Sequence, residues 1–419
     1  MRESFAAFGR IGIMSFGGPA AQIALMHRVL VDERRWLEEK EFLSALSFCM
    51  LLPGPEAMQL ATFAGWRRHG VAGGLMAGLL FVLPGAVVMA ILAAIYAAFG
   101  AVPLVEALFL GIKAAVLVIV IEALLRISRR ALKAPAHWAL AALAFIAIYF
   151  FALPFPLIIA AAALAGWFHG RGNATAPEPP ASVPSTRTAA TALTWLAIWI
   201  VPLGAMTVLL GADHILSGLA LFFSKLAVVT FGGAYAVLAY MAQDVVSHHG
   251  WISAGAMMDG LGLAETTPGP LILVTEFVGF LAGFNESGGR WSMALAGAVV
   301  TLWATFAPCF LWIFVGAPYV ARIATMPRLN AALSGVTAAV VGVILNLSIW
   351  FALHVLFGEV VEVHYGPLRL WTPAWAGFDW KVAVISVASA ALLLWRRWPM
   401  PAVLGIAAAG GVALSAVSL

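Results

Sequence analysis

A chain of 419 residues that is 63% hydrophobic and only 10% charged cannot cover a soluble surface of that size with polar groups. The formal charge of +4 is modest, and its Lys and Arg gather between apolar windows. That placement speaks for membrane topology and against a nucleic-acid partner. Cys49 and Cys309 both lie in apolar sequence, with no CxxC or Cys/His cluster, so neither a disulfide framework nor a metal site is expected.

The first ten residues, MRESFAAFGR, do not read as a cleavable signal peptide. Next comes FGRIGIMSFGGPAAQIALM over residues 8–26, which returns as FSKLAVVTFGGAYAVLAYM over 223–241. At an offset of 215, Phe8 falls on Phe223, Arg10 on Lys225, Phe16-Gly17-Gly18 on Phe231-Gly232-Gly233 and Trp36 on Trp251. The same offset carries Pro53-Gly54-Pro55 onto Pro268-Gly269-Pro270. At an offset of 224, Pro84 falls on Pro308 and Gly111 on Gly335. Apolar windows at 71–99, 103–125, 191–211 and 331–353 are long enough to span a bilayer as helices. The repeat boundaries give an N-terminal repeat over 1–170, a Pro/Ser/Thr-rich flexible linker over 171–190 and an extra connecting span over 191–215. A second repeat fills 216–419, with an added loop at 354–379. Matching apolar halves interrupted by Gly and Pro are the pattern of secondary transporters that place their site between repeats.

Basic residues set the orientation. Arg28, Arg34, Arg35 and Lys40, then Arg67 and Arg68, flank the segment 42–66 on both sides. That segment is therefore expected to enter and leave by the cytoplasmic face, turning at Pro53-Gly54-Pro55. The corresponding loops of the second half are nearly bare, and positive charge moves to Arg322, Arg328, Arg396 and Arg397. The expected fold is thus an all-α polytopic membrane protein of two inverted repeats, with about nine full spans and four re-entrant hairpins. Its N-terminus is cytoplasmic and its linker is cytoplasmic. Arg10, Lys113 and Lys225 are left within the membrane.

Each break exposes unpaired N–H groups at the positive end of the next half-helix, which makes an anion site. The expected anion ligands are the turns Gly17, Gly18 and Pro19; Pro53, Gly54 and Pro55; Gly232 and Gly233; and Pro268, Gly269 and Pro270. The side chains of Gln22, Thr266 and Thr267 join them. Arg10 and Lys225, repeat equivalents in apolar sequence, are expected to neutralise the charge. Snorkelling to the interface is the competing reading for both. Glu56, Glu265 and Glu276 are the proton-coupling candidates, although Glu56 at a helix start also suits a simple dipole partner. Lys113, nine residues before Glu122, reads as part of an internal ion pair or as a snorkelling side chain. No dinucleotide glycine fingerprint, haem ligand pair or dithiol is visible, which argues against a membrane enzyme and for no cofactor.

SFGGPAAQIALMHR, WLEEKEFLSALSFCMLLPGPEAMQLATFAGWRRHG, TFGGAYAVLAYM and GLAETTPGPLILVTEFVGF resemble the chromate ion transporter family in its two-domain form. The second half departs from the first at Ala234 for Pro19 and Val237 for Gln22. The resemblance implies efflux of chromate across the bacterial inner membrane, giving chromate resistance, with sulfate as the related tetrahedral oxyanion. It implies energy from proton-motive force or anion exchange. A transporter or channel for a different anion with the same inverted architecture is the alternative. The partners expected are the oxyanion and the lipid bilayer, and a homo-oligomer is compatible with the sequence.

Overall fold

The computed structural model describes residues 1–16, 18–100, 102–170, 185–231, 234–320 and 326–416. Gly17, Gly232, Gly233, Arg322 and most of the expected linker lie outside the described residues. The first half contains α1 (Arg2–Met14), α2 (Gly18–His27), α3 (Glu39–Leu51), α4 (Glu56–Phe99), α5 (Pro103–Ala131), α6 (Pro135–Tyr149) and α7 (Phe155–His169). Then follow α8 (Ser185–Leu210), α9 (Ile215–Val229), α10 (Ala234–Gln243), α11 (Ala254–Thr266), α12 (Val274–Glu286), α13 (Trp291–Gly316) and α14 (Pro327–Leu356). A hairpin of β1 (Val360–Tyr365) and β2 (Leu368–Pro373) precedes α15 (Trp380–Ala390) and α16 (Met400–Ala416). Helix α8 begins at Ser185, inside the stretch that composition assigns to the linker.

Among the described residues, five helices are long and apolar enough to cross a membrane: Glu56–Phe99, Pro103–Ala131, Thr188–Leu210, Trp291–Tyr319 and Pro327–Leu356. The chain is a multi-pass membrane protein. The fold is mostly helical, but it is not all-α. The extra loop forms a two-stranded antiparallel hairpin, with Val360 opposite Pro373 and Tyr365 opposite Leu368. Its strands are rich in Val, Tyr, Trp and Thr, which suit a pleated surface, and Gly366 at φ 62° makes the tight turn. Arg369, buried at the base of β2, donates from Nη2 to the Ile148 carbonyl at 2.7 Å and from its backbone N–H to Phe150 at 2.7 Å. It thereby caps the carbonyl end of α6.

The chain folds as two compact units. The first gathers Met1–Ala94, Gly170–Val237 and Leu263–Asn330. Within it α13 packs on α8, α9 and α12. Trp195 of α8 lies against Phe310 and Phe314 of α13, with ring centroids 5.8 and 4.9 Å apart. Gly279 of α12 and Gly297 of α13 bring those two backbones together, since a Cβ on Gly297 would sit 2.1 Å from the Gly279 carbonyl.

The second unit gathers Ile95–His169, Leu238–Gly262 and Ala331–Leu419. It trades pieces between the repeats. The last helix of the first half, α7, packs on α14 of the second, where a Cβ on Gly166 would meet the Ala331 carbonyl at 2.3 Å. The last helix of the second half, α16, packs on α5 of the first, where a Cβ on Gly411 would meet the Ala107 carbonyl at 2.2 Å. Ala107 and Ala331 are related by the offset of 224 that relates Gly111 to Gly335. The two contacts are the same contact made in each direction, the isologous pattern of a two-fold relation.

Candidate functional site

All the described parts of the four interruptions lie in the first unit. Helix α1 stops after Met14 because the chain makes an inverse γ-turn centred on Ser15, at φ −78° and ψ 66°. The Phe16 N–H donates to the Met14 carbonyl at 2.9 Å, and Ser15 Oγ bonds back to Ile11 at 2.6 Å. The equivalent in the second half is Thr230, with φ −75° and ψ 74°. There the Phe231 N–H donates to Val229 at 2.9 Å, and Thr230 Oγ1 bonds back to Leu226. Every partner is displaced by the same 215 residues.

The γ-turns leave the carbonyls of Ser15 and Thr230 pointing away from their helices, and the Pro-Gly-Pro turns claim them. Gly269 N–H donates to Ser15, and Gly54 N–H donates to Thr230, both at 2.9 Å. Each half therefore supplies the donor to the other half's acceptor. Gly54 and Gly269 adopt φ 117° and 89°, conformations that favour glycine. Crowding reinforces the choice. A Cβ on Gly54 would lie 2.9 Å from Cys309 Sγ, and one on Gly269 would lie 3.0 Å from Leu273 Cδ1, with the Gly85 Cα in ordinary contact at 3.5 Å. Gly85 and Cys309 follow the matched prolines Pro84 and Pro308 of the long helices α4 and α13.

Two glutamines secure the crossings. Buried Gln22, in the first turns of α2, donates to the carbonyls of Gly269 at 2.6 Å and Ser15 at 3.3 Å. Buried Gln59, in the first turn of α4, donates to Pro53 at 2.7 Å. Helix α2 begins inside its break, at Gly18, and α4 and α10 begin directly after theirs, at Glu56 and Ala234. After Pro270 a short 3-10 turn, Leu271–Leu273, leads into α12. The positive ends of four helical segments thus stand at the crossings.

The expected ligands are placed as follows. Gly18, at φ 76°, has nothing within 4 Å of where a Cβ would be, and Pro19 is half-buried beside it. Pro53 to Pro55 and Pro268 to Pro270 are buried. The amides of Gly54 and Gly269 and the side-chain nitrogen of Gln22 are engaged in tying the turns together. Thr266 and Thr267 direct their hydroxyls to carbonyls of α11, at Leu263 and Ala264. Arg10 has a side chain 53% exposed and pairs with Glu33 at 3.3 Å, and Lys225 is exposed. Glu56 is half-buried, Glu265 is buried and accepts from Tyr235 Oη at 2.7 Å, and Glu276 is buried with Oε2 accepting no hydrogen bond.

Lys113 and Glu122 each sit in an ion pair, with different partners. Lys113 does not meet Glu122, which binds Arg126 one turn along at 3.5 Å. Nine residues on a helix place side chains on opposite faces. In the second unit Lys113 instead reaches Asp259 of α11 at 3.3 Å. Sequence reading also passed over Ser15, Thr230, Gln59, Gly85 and Cys309. The hydroxyl that precedes FGG in both halves, Ser15 and Thr230, was a usable signal for the first two.

A membrane protein whose two halves interlock at paired helix breaks has the build of a transporter. The chromate transporter family model matches residues 2–167 and 217–413, so the chain belongs to the chromate transporter family. It is 34% identical over 355 residues to the chromate transport protein of Pseudomonas aeruginosa, covering 82% of this chain and 79% of that protein. The chromate transport protein of Cupriavidus metallidurans is 28% identical over 354 residues, covering 82% and 80%. The probable chromate transport protein of Synechococcus elongatus is 30% identical over 343 residues, covering 80% and 81%. No solved structure matches the chain.

Proposed function

We propose that this protein is a secondary active transporter that exports chromate, or a related tetrahedral oxyanion such as sulfate, across the bacterial inner membrane and so confers chromate resistance. The observation that carries the reading is the reciprocal pair of bonds, Gly269 to Ser15 and Gly54 to Thr230, in a chain of the chromate transporter family. Relatives bearing the name chromate transport protein support the substrate. The helix ends at the crossings suit an anion. The inside-negative potential supplies about 2.3 kcal/mol per charge per 100 mV, so a dianion leaves the cell with a gain of about twice that. Export therefore suits the substrate's charge.

Reciprocal bonds relate the two halves by a two-fold operation. An axis in the membrane plane inverts the repeats, whereas an axis along the normal leaves them parallel. The alternation of basic loops between the halves favours inversion, with the N-terminus cytoplasmic. In this reading the anion contacts the turns around Gly18 and Pro19, Pro53 to Pro55 and Thr266 to Pro270, with their counterparts Gly17, Gly232 and Gly233. Arg10 and Lys225 supply positive charge, and Glu56, Glu265 and Glu276 are candidates for proton traffic. Rocking of the two repeats changes the face that is open. Labelled chromate transport into proteoliposomes and inverted vesicles tests this. Accumulation against a gradient that Gly18→Leu and Arg10→Ala abolish, at unchanged membrane expression, is expected. Unchanged transport in both variants refutes the site, and flux that only runs downhill refutes the transporter.

A further inference from the structure

Outside the crossings, the second unit holds a sealed carboxylate that the sequence reading did not single out. Asp259 is the one acidic residue in the apolar first ten residues of α11, AGAMMDGLGL, and its side chain is only 3% exposed. An ionised carboxylate there is costly unless it is paired. Its Oδ2 takes both available donors, Tyr96 Oη from the end of α4 at 2.8 Å and Lys113 Nζ from α5 at 3.3 Å. Its Oδ1 is buried and accepts no hydrogen bond from the described residues. The other charge facing the group is Glu106, also on α5. Elsewhere on α11, Ile112 and Val116 of α5 close over Gly262.

This geometry holds a place for a proton. Oδ2 is fully engaged and Oδ1 is empty, so a proton can add to Oδ1 while both existing donors stay in place. The carboxylate then becomes a carboxylic acid and Lys113 keeps its own proton. The pair passes from net zero to one positive charge. The lysine can carry that charge, because its side chain is 26% exposed whereas the aspartate is sealed. The helix that bears Asp259 ends at Thr266, one residue short of the second Pro-Gly-Pro turn. A change of charge on α11 is thus made on the element that carries one of the transport turns.

We propose that Asp259, paired with Lys113 and held by Tyr96, is a proton-binding site, beyond the glutamates of the crossings, that couples substrate movement to a proton gradient. The proposal rests on the transport reading above. It is tested on the full-length protein in proteoliposomes with two assays of labelled chromate: net accumulation driven by an imposed pH gradient, and chromate–chromate exchange at equal pH on both sides. Exchange needs substrate movement but no net proton movement. Asp259→Asn should lower pH-driven accumulation by about tenfold or more while exchange stays within about twofold. Tyr96→Phe removes one donor to the carboxylate, which favours its protonated form, and should shift the pH profile of accumulation to higher pH. Accumulation at wild-type level in Asp259→Asn overturns the proposal. So does equal loss of both activities in a monodisperse, folded variant, which would mark Asp259 as structural. If the asparagine variant does not reach the membrane, an unshifted profile in Tyr96→Phe overturns it. Wild-type protein that moves chromate in neither assay refutes the transport reading. Wild-type protein that exchanges chromate but ignores a pH gradient leaves that reading standing and refutes this one.

Discussion

The two crossings of the first unit share one backbone and differ in their side chains. In both, a glycine between two prolines donates at 2.9 Å to the carbonyl of an inverse γ-turn from the opposite half. Around that common frame the supports diverge. The Gly269–Ser15 crossing has Gln22 on its carbonyls and Gly85 beneath it. The Gly54–Thr230 crossing has Gln59 on Pro53 and the Cys309 thiol beneath it. Both glutamines come from the first half, and their equivalents at the offset of 215 are Val237 and Val274. Backbone geometry has thus been held in common while the side-chain amides have been confined to one repeat. The lesson is that a duplicated frame can stay symmetric in its backbone while its side-chain supports do not.

Exchanging these differences is the way to test what they do. The largest effect is expected for Gly85→Ala. Its Cβ would lie 2.1 Å from the Pro268 carbonyl, a backbone atom, so the turn or α4 must shift. Overpacking of this kind costs about 3 kcal/mol or more, and both the thermal stability of the purified protein and its transport should fall sharply. Gln22→Val, which gives the first half the residue of the second, takes the side-chain donor from the buried Gly269 carbonyl and leaves the Ser15 carbonyl with the Gly269 N–H alone. It should cost about 1–3 kcal/mol in chemical denaturation and loosen the Gly269–Ser15 crossing first, as read by hydrogen exchange at Gly269. Cys309→Ala, at the position matching Gly85, only removes a sulfur from a buried contact and should cost about 1 kcal/mol.

The smallest effect concerns the rim between α2 and α3. His27 Nε2 meets Glu39 at 2.7 Å and Nδ1 meets Asp32 at 3.4 Å. The hydrogen bond to Glu39, followed by the charges of both carboxylates, raises the His27 pKa above 6.5 despite the opposing effect of burial. A raised value means that this contribution to stability is fully present below about pH 6.5 and fades as pH climbs through the folded-state pKa. Glu39→Gln should therefore destabilise the protein by about 0.5 kcal/mol at pH 6 and by less at pH 8.5, a small cost because the pair is largely exposed. A pH-independent difference in melting temperature would remove the pair from the account.

Much of this frame was legible in the sequence. The offset of 215 located the four breaks, and glycine between prolines announced turns that no helix continues through. What could not be read was the exchange itself. A repeat tells which residues correspond, but not whether Gly54 meets its own half's Ser15 or the other half's Thr230. The Lys113–Asp259 pair was hidden for a related reason. It joins positions with no charged counterpart in the other repeat, since Lys113 matches Thr337, and the eye is drawn to Glu122 on the same helix. The β-hairpin escaped notice because six-residue strands within an apolar chain carry too little alternation to stand out.

The central claim, that the crossed turns form the anion site, is most directly tested by the affinity of purified protein for chromate, measured by calorimetry on wild type, Gly54→Ala and Gly269→Ala. The account predicts that both alanine variants, folded by circular dichroism and monodisperse, bind chromate at least about tenfold more weakly, a loss of about 1.4 kcal/mol in each case. Wild-type affinity in both variants would contradict it.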